Sequence, residues 1–184
     1  MAADPPDWHL ATARTGVRPA TLADAAALHW IRGTMPYDPQ TRTLRATRAM
    51  IAAMARTPTD APGWQQFAVV DAADAARVLG DIGVQFDYPG PRQAELGFAM
   101  HPDCRGQGLA REAVGAMVER LFAHGLHRVE ALTDARNQPA QRLLDRLGFR
   151  REAHYVASWP TGDGWSDEIG FALLSTDARP AGFA

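Results

Sequence analysis

The chain has 184 residues, of which 46% are hydrophobic and 22% are charged, and its formal net charge at pH 7 is −2. This length and composition are typical of one globular domain with a full hydrophobic core. The nearly neutral charge gives no indication of general binding to nucleic acid, and no apolar run approaches the length of a membrane span.

Cys104 is the sole cysteine of the sequence, so no internal disulfide is expected. The N-terminal residues lack a basic head followed by an apolar run, and no secretion signal is therefore expected. Both features favour a reducing compartment, and we predict a cytoplasmic protein.

Apolar periodicity and turn residues predict strands and helices that are mixed in an α+β order. In chain order these are strand 17–19, helix 22–33, helix 41–56, strands 66–71 and 78–86, strand 94–100, helix 111–124, strand 129–133, helix 139–147, and a hairpin of 150–159 and 165–174. Thr21 is expected to cap the first helix and Gly125 to end the third.

The domain limits follow from the same pattern. Residues 1–16 are expected to form an N-terminal extension or an additional edge segment, and residues 176–184 a C-terminal tail. A single domain then spans residues 17–175.

A glycine-rich turn with the sequence R-G-Q-G-L-A occupies residues 105–110, between a predicted strand and a predicted helix. Gly106 and Gly108 allow a tight turn and a close approach of the backbone to a ligand. The helix that follows begins with free N–H groups and the positive end of its dipole, which suit an anion. A phosphate or pyrophosphate bound by backbone amides is the expected ligand.

Two other phosphate-binding loops match this turn less well. The sequence contains no lysine, so a Walker-type loop is excluded. The dinucleotide fingerprint is half met, because Gly106 and Gly108 fit but Arg111 stands in place of the third glycine. Glu130 is about twenty residues further on, but it lies inside a predicted strand rather than at its end. A nucleotide- or NAD-binding domain remains an alternative.

The pattern Q/R-x-x-G-x-G/A is met by Arg105, Gly108 and Ala110, and the chain here resembles the GNAT superfamily of N-acetyltransferases. In that family the loop binds the pyrophosphate of acyl-CoA. The stretch A-E-L-G-F-A-M-H-P before the loop and the block from N-Q-P-A at 137–140 to L-G-F at 147–149 extend the resemblance. The opening V-R-P-A-T-L-A-D at 17–24 is most similar to the RimJ/RimL-like branch, named for ribosomal-protein N-terminal acetylation.

This resemblance implies a fold and an activity. The fold is a central mixed, mostly antiparallel sheet, flanked by helices and splayed open in the middle, with acyl-CoA in the gap. The activity is direct acetyl transfer from acetyl-CoA to a primary amine, either a small molecule or a peptide N-terminus. No metal, membrane or nucleic acid is implied as a partner, and a homodimer is common in this branch.

The resemblance also implies a set of cofactor-binding residues. The edge of the strand before the loop would pair with the pantetheine amides, and a backbone N–H near Met100 would polarise the thioester carbonyl. Asn137 matches an asparagine that reaches the cofactor, although a cap for the helix that begins near Pro139 is the alternative. The predicted cofactor-binding residues are Phe98, Ala99, Met100, Arg105, Gly106, Gln107, Gly108, Leu109, Ala110 and Asn137.

Glu95 is the first candidate for the general base, because it lies on the strand beside the cofactor. It is one residue closer to Met100 than the base in some relatives, which reverses the face of the strand unless a bulge intervenes. A structural carboxylate is the alternative role for Glu95. Rival bases are Glu152, His154 and His101.

The general acid is less clearly indicated. Many relatives carry a tyrosine a few residues after the asparagine, where this chain has Leu143 and Leu144. Tyr155 is the first candidate in its place, with Tyr37 or water as substitutes. The missing tyrosine motivates a second hypothesis, an acyl-CoA-binding module without catalysis.

Overall fold

The computed structural model describes residues 7–37, 42–162, 164–181 and 183. Within these ranges the chain forms eight strands, four α-helices and one short 3₁₀ turn. In chain order they are β1 (Leu10–Ala11), β2 (Thr15–Pro19), α1 (Ala25–Gly33), α2 (Leu44–Met54), β3 (Gly63–Asp71), β4 (Val78–Phe86), β5 (Gln93–Met100), the 3₁₀ turn (Pro102–Cys104), α3 (Leu109–Ala123), β6 (Arg128–Asp134), α4 (Gln138–Arg146), β7 (Arg150–Thr161) and β8 (Gly164–Leu174).

The strands form one sheet in the order β1-β2-β3-β4-β5-β6-β8-β7. Neighbouring strands are antiparallel except for β5 and β6, which pair in parallel from Gln93 and Arg128 to Glu95 and Glu130. Beyond Glu95, β5 continues to Met100 without β6 beside it. The predicted mixed, mostly antiparallel sheet that is open in its middle is confirmed.

The two faces of the sheet carry different helices. Ala94 and Leu96 of β5 are buried in the main core together with Val114 and Met117 of α3. Because side chains alternate along a strand, Glu95 belongs to the opposite face. The α1 helix lies on that opposite face, where the Nε atom of its Arg32 donates to Asp81 of β4 at 2.8 Å.

Two aromatic residues outside the predicted domain limits of 17–175 belong to the main core. Trp8 is 4% exposed and its ring packs edge-on against Phe86. Phe183, in the predicted C-terminal tail, is 7% exposed and packs in the main core. The strand β1 lies inside the predicted N-terminal extension and pairs with β2 as an edge segment.

Some helix boundaries differ from the predicted ones. Thr21 does not cap α1, because its N–H and hydroxyl both donate to the carboxylate of Asp24, which stands at the N-cap. The predicted start of the second helix at Thr41 lies outside the described residues, and Thr43 caps α2. Gly125 follows the last turn of α3 with a φ of +97°, as predicted for a helix end. None of the helices in the described ranges is long and apolar enough to cross a membrane.

Candidate active site

The glycine-rich turn adopts the conformation that its sequence indicates. Gly106 and Gly108 have φ values of +74° and +81°, in the left-handed region that favours glycine, and Gly108 is the N-cap of α3. A guanidinium nitrogen of Arg14 donates to the carbonyl oxygen of Gln107 at 3.0 Å, so the turn is fixed through a carbonyl group. No hydrogen bond between described residues uses the amides of Gly106 to Gly108. These amides can therefore donate to an anion.

A cavity of about 570 Å³ opens beside this turn. Its wall consists of the last residues of β5, the turn, the start of α3, one side of α4, and the segment that follows α1. Eight of the predicted cofactor-binding residues line it: Phe98, Ala99, Met100, Arg105, Gly106, Gly108, Ala110 and Asn137.

Two of the predicted cofactor-binding residues do not line the cavity. The side chain of Leu109 is buried in the main core, because the first turn of α3 directs it toward the sheet. The side-chain amide of Gln107 donates to the carbonyl oxygen of Asp103 at 2.6 Å. A ligand of the turn would meet these two residues through their backbone groups alone.

The charged residues of the cavity wall are all arginines: Arg105, Arg111, Arg142 and Arg146. With no carboxylate among the lining residues, the cavity attracts anions. Arg142 and Arg146 are cavity residues that the sequence motifs did not indicate. Their spacing of four residues on a predicted helix was the available signal, since it places both on one face.

Arg105 connects the glycine-rich turn to α1, the helix on the other face of the sheet. Its Nε atom donates to the carbonyl oxygen of Met100 at 3.0 Å, and Nη2 donates to the hydroxyl of Thr34 at 3.1 Å. Thr34 ends α1, so this side chain joins the end of β5 to the end of α1. Neither contact neutralises the charge of Arg105.

The open edge of β5 presents backbone groups to the gap. The N–H of His101 donates to the carbonyl oxygen of Leu79 at 2.8 Å, so the odd-numbered residues of β5 bond to β4. The N–H groups of Phe98 and Met100 consequently point away from β4, toward the side from which β6 has separated. An extended ligand with amide groups can pair with this edge as a strand does.

Asn137 caps α4 and also lines the cavity. Its Oδ1 atom accepts from the N–H of Ala140 at 3.3 Å, and its Nδ2 atom donates to the hydroxyl of Thr133 at 3.1 Å. The alternative role as a helix cap is therefore present. Asn137 also lies on the cavity wall, and its contact with the cofactor stays a prediction.

Glu95 lies where the sheet begins to open, in the last register pair between β5 and β6. The register between β4 and β5 runs without a shift, so no bulge turns Glu95 toward the α3 face. Burial raises the pKa of the Glu95 carboxyl above its usual range, and the negative charges of Glu130 and Glu168 add to this effect. A half-buried carboxylate with a raised pKa is suited to accept a proton.

The rival bases are engaged in other contacts. Glu152 accepts from Arg128 at 2.6 Å, and this hydrogen bond lowers the pKa of its carboxyl. His154 contacts the carboxylate of Asp167 at 2.8 Å. The ring of His101 packs against Trp30 with 4.7 Å between centroids, and its Nδ1 atom accepts from the N–H of Asp103.

The two candidate tyrosines lie in different places. Tyr155 is 47% exposed on β7. Its hydroxyl oxygen lies 3.8 Å from the position that a β-carbon would occupy at Gly170 of β8. The hydroxyl thus reaches over β8, while β6 still separates it from β5. Tyr37 lines the cavity, with the guanidinium of Arg136 5.4 Å from its ring centroid.

The alternative of an NAD-binding domain is not supported by the sheet. A doubly wound domain needs a mostly parallel sheet, whereas β5 and β6 form the one parallel pair in the described ranges. Glu130 lies inside β6, and its carboxylate accepts from the Nε atom of Arg128 at 2.6 Å.

Comparison with known proteins gives consistent matches. Residues 14–150 match the acetyltransferase (GNAT) domain family. The chain is 33% identical over 101 residues to the uncharacterized N-acetyltransferase YnaD of Bacillus subtilis, a match that covers 54% of this chain and 59% of YnaD. The matches to four such curated relatives span between 43% and 62% of each relative's length.

Solved structures show the same fold over nearly the whole chain. A GNAT-family acetyltransferase from Bacillus anthracis has a TM-score of 0.78 at 25% identity, covering 92% of this chain and 99% of that one. RimJ of Mycobacterium smegmatis, in complex with CoA-disulfide, has a TM-score of 0.73 at 23% identity, covering 90% of this chain and 85% of that one. With the family match over residues 14–150, the chain belongs to the GNAT acetyltransferase family.

Proposed function

We propose that the protein transfers the acetyl group of acetyl-CoA directly to a primary amine, with Glu95 as the general base. The acceptor is a small-molecule amine or a peptide N-terminus. One observation carries this proposal, namely the opposite charges on the two sides of the opening in the sheet. Arginines line the cavity beside the glycine turn, and the negative charges of Glu130 and Glu168 act on Glu95, which lies where β5 and β6 begin to separate.

The cavity fits a phosphorylated cofactor. Backbone amides of Gly106 to Ala110 would hold the pyrophosphate, and Arg105 adds a cationic group to the same wall. The free edge at Phe98 and Met100 would pair with the pantetheine amides. When bound, acetyl-CoA supplies an activated acetyl group as a thioester.

The backbone of β5 would then help to polarise the reacting carbonyl. The N–H of Met100 points into the gap, in a position to donate to an oxygen that gains negative charge. The carbonyl of Met100 is occupied by Arg105, which fixes the orientation of the end of β5.

On the acceptor side, the carboxylates attract a protonated amine and remove its proton. Arg128 pairs with Glu130, so the carboxylates of Glu95 and Glu168 supply the negative charge that favours an ammonium group nearby. Glu95 would take the proton directly or through a water molecule, which leaves a neutral amine able to attack. The leaving thiolate would be protonated by Tyr37, by Tyr155 or by water.

The second hypothesis is an acyl-CoA-binding module without catalysis. It is favoured by one observation, the presence of Leu143 on the cavity wall where many relatives carry a tyrosine. Both hypotheses require acetyl-CoA to bind, so binding does not separate them.

Release of the CoA thiol separates the two hypotheses. The protein is incubated with acetyl-CoA and a panel of peptides and small amines, and the free thiol is measured against reactions that lack the amine. Acetyl transfer predicts release that depends on the amine and saturates with its concentration. Binding without amine-dependent release would support the non-catalytic module. Because the chain has no lysine, side-chain ammonium groups of the protein itself do not compete as acceptors.

A further inference from the structure

Besides Arg105, three arginines line the cavity. Arg111 lies in the first turn of α3, and Arg142 and Arg146 lie on α4. Arg142 and Arg146 are four residues apart, so their side chains emerge from the same helix face about 6 Å apart. Both are exposed, and no carboxylate in the described ranges pairs with either of them.

This arrangement is unfavourable for the protein alone. Like charges four residues apart destabilise a helix. Arg111 donates from Nη2 to the carbonyl oxygen of Ala181 at 3.0 Å, but its buried Nε atom has no acceptor among the described residues. A buried donor without a partner costs free energy. An anion bound between the exposed side chains of Arg142 and Arg146 would relieve the repulsion between them.

We propose that Arg142 and Arg146, together with Arg111, bind the 3′-phosphate of the CoA ribose. This inference rests on the proposed function, because it assumes CoA as the cofactor. The amides of the glycine turn account for the pyrophosphate, so the arginines of α4 are left for the second phosphate group of the same molecule. A phosphate monoester carries a charge of roughly −1.5 to −2, and guanidinium groups bind it through paired hydrogen bonds.

The consequence is selectivity for CoA over 3′-dephospho-CoA. Isothermal titration calorimetry with these two ligands measures the selectivity directly in the wild-type protein. We expect CoA to bind at least tenfold more tightly. In the double variant R142Q/R146Q we expect the affinity for CoA to fall close to that for 3′-dephospho-CoA, whose own affinity stays unchanged. Arg56→Gln removes an exposed charge away from the cavity and serves as the matched control, with full selectivity.

Each other outcome has a definite meaning. Equal affinities of the wild-type protein for the two ligands would overturn the inference and leave the cofactor site in place. Retained selectivity in a folded double variant would overturn the assignment to Arg142 and Arg146. Failure of both ligands to bind the wild-type protein would contradict the proposed function, and this inference with it. The wild-type comparison holds even if the double variant does not fold.

Discussion

Glu95 and Glu130 form the last register pair between β5 and β6 before the two strands separate. Neighbouring strands are about 4.8 Å apart, so the two carboxylates lie close together on the same face of the sheet. The carboxylate of Glu130 is held by Arg128, whereas Glu95 is half-buried and carries a raised pKa. This pair places a proton acceptor at the point where the sheet opens.

The first prediction concerns Glu95 as the base. Glu95→Gln keeps the shape of the side chain and removes the proton acceptor, so the acetylation rate should drop by roughly 10²-fold with unchanged binding of acetyl-CoA. The loss should be smaller at high pH, where the amine is already neutral. Steady-state rates against pH measure both effects.

Glu152→Gln is the matched control for this substitution, because Glu152 is engaged by Arg128 and Arg150. It should retain a rate within a few-fold of wild type. If Glu152→Gln lost the greater part of the activity and Glu95→Gln did not, the assignment of the base to Glu95 would be wrong, and Glu152 on β7 would take its place.

The second prediction concerns the effect of the Glu95 carboxyl on the free energy of unfolding. The pKa of Glu95 is raised in the folded state. At pH values between the ordinary pKa and this raised pKa, the folded chain therefore keeps a proton on Glu95 that the unfolded chain has released. The free energy of unfolding therefore falls as the pH rises through this window. Gln cannot ionise, so Glu95→Gln should unfold at a higher temperature than wild type above the window, with the difference vanishing below it. A variant with lower thermal stability at neutral pH would contradict the raised pKa.

Much of the fold was predictable from the sequence, because the patterns of its strands and helices are local. The alternation of Ala94, Glu95 and Leu96 indicated the strand, and the glycines at 106 and 108 indicated the turn into α3. Gln107 and Leu109 were assigned to the cofactor as part of a motif, and the motif did not distinguish backbone from side-chain contacts. The core position of Leu109 depends on the packing of α3 against the sheet.

Relations between distant residues were not predictable in this way. The ion pairs that engage Glu152 involve Arg128 on another strand, and the position of Tyr37 on the cavity wall depends on where α1 ends. The start of α1 depends on which side chain stands at the N-cap, and this residue is Asp24 rather than Thr21. Asp24 receives the hydrogen bonds of Thr21 and also pairs with Arg18 at 2.7 Å, and the helix begins three residues later than predicted.

The third prediction concerns the glycine-rich turn. Gly108→Val places a branched side chain at a φ of +81° beside the amides that would hold the pyrophosphate. We expect the affinity for acetyl-CoA to fall at least tenfold, about 1.4 kcal/mol, as measured by calorimetry.

Gly125→Val is the control for backbone strain in that experiment. Gly125 has a φ of +97° at the opposite end of α3 and does not line the cavity. It should lose stability but retain its affinity for acetyl-CoA. An equal loss of affinity in both variants would show that strain, rather than the site, causes the effect.

The fourth prediction concerns the general acid. Tyr155 is separated from β5 by β8 and β6, and a CoA thiol is acidic enough to leave without strong assistance. Tyr155→Phe should therefore reduce the rate by about tenfold at most, with acetyl-CoA binding unchanged. Tyr37→Phe gives the comparison, since Tyr37 lines the cavity. A thousandfold loss in Tyr155→Phe alone would make Tyr155 an essential acid.

The central claim is acetyl transfer to an amine nitrogen, and mass spectrometry of the acceptor tests it most directly. The wild-type protein is incubated with acetyl-CoA and the amine that gives the fastest thiol release, and acetylated product and free thiol are counted in the same sample. The account predicts one acetyl group on the amine for each thiol released, with product formation strongly reduced in Glu95→Gln. Tight binding of acetyl-CoA with no acetylated product from any peptide or small amine would contradict it.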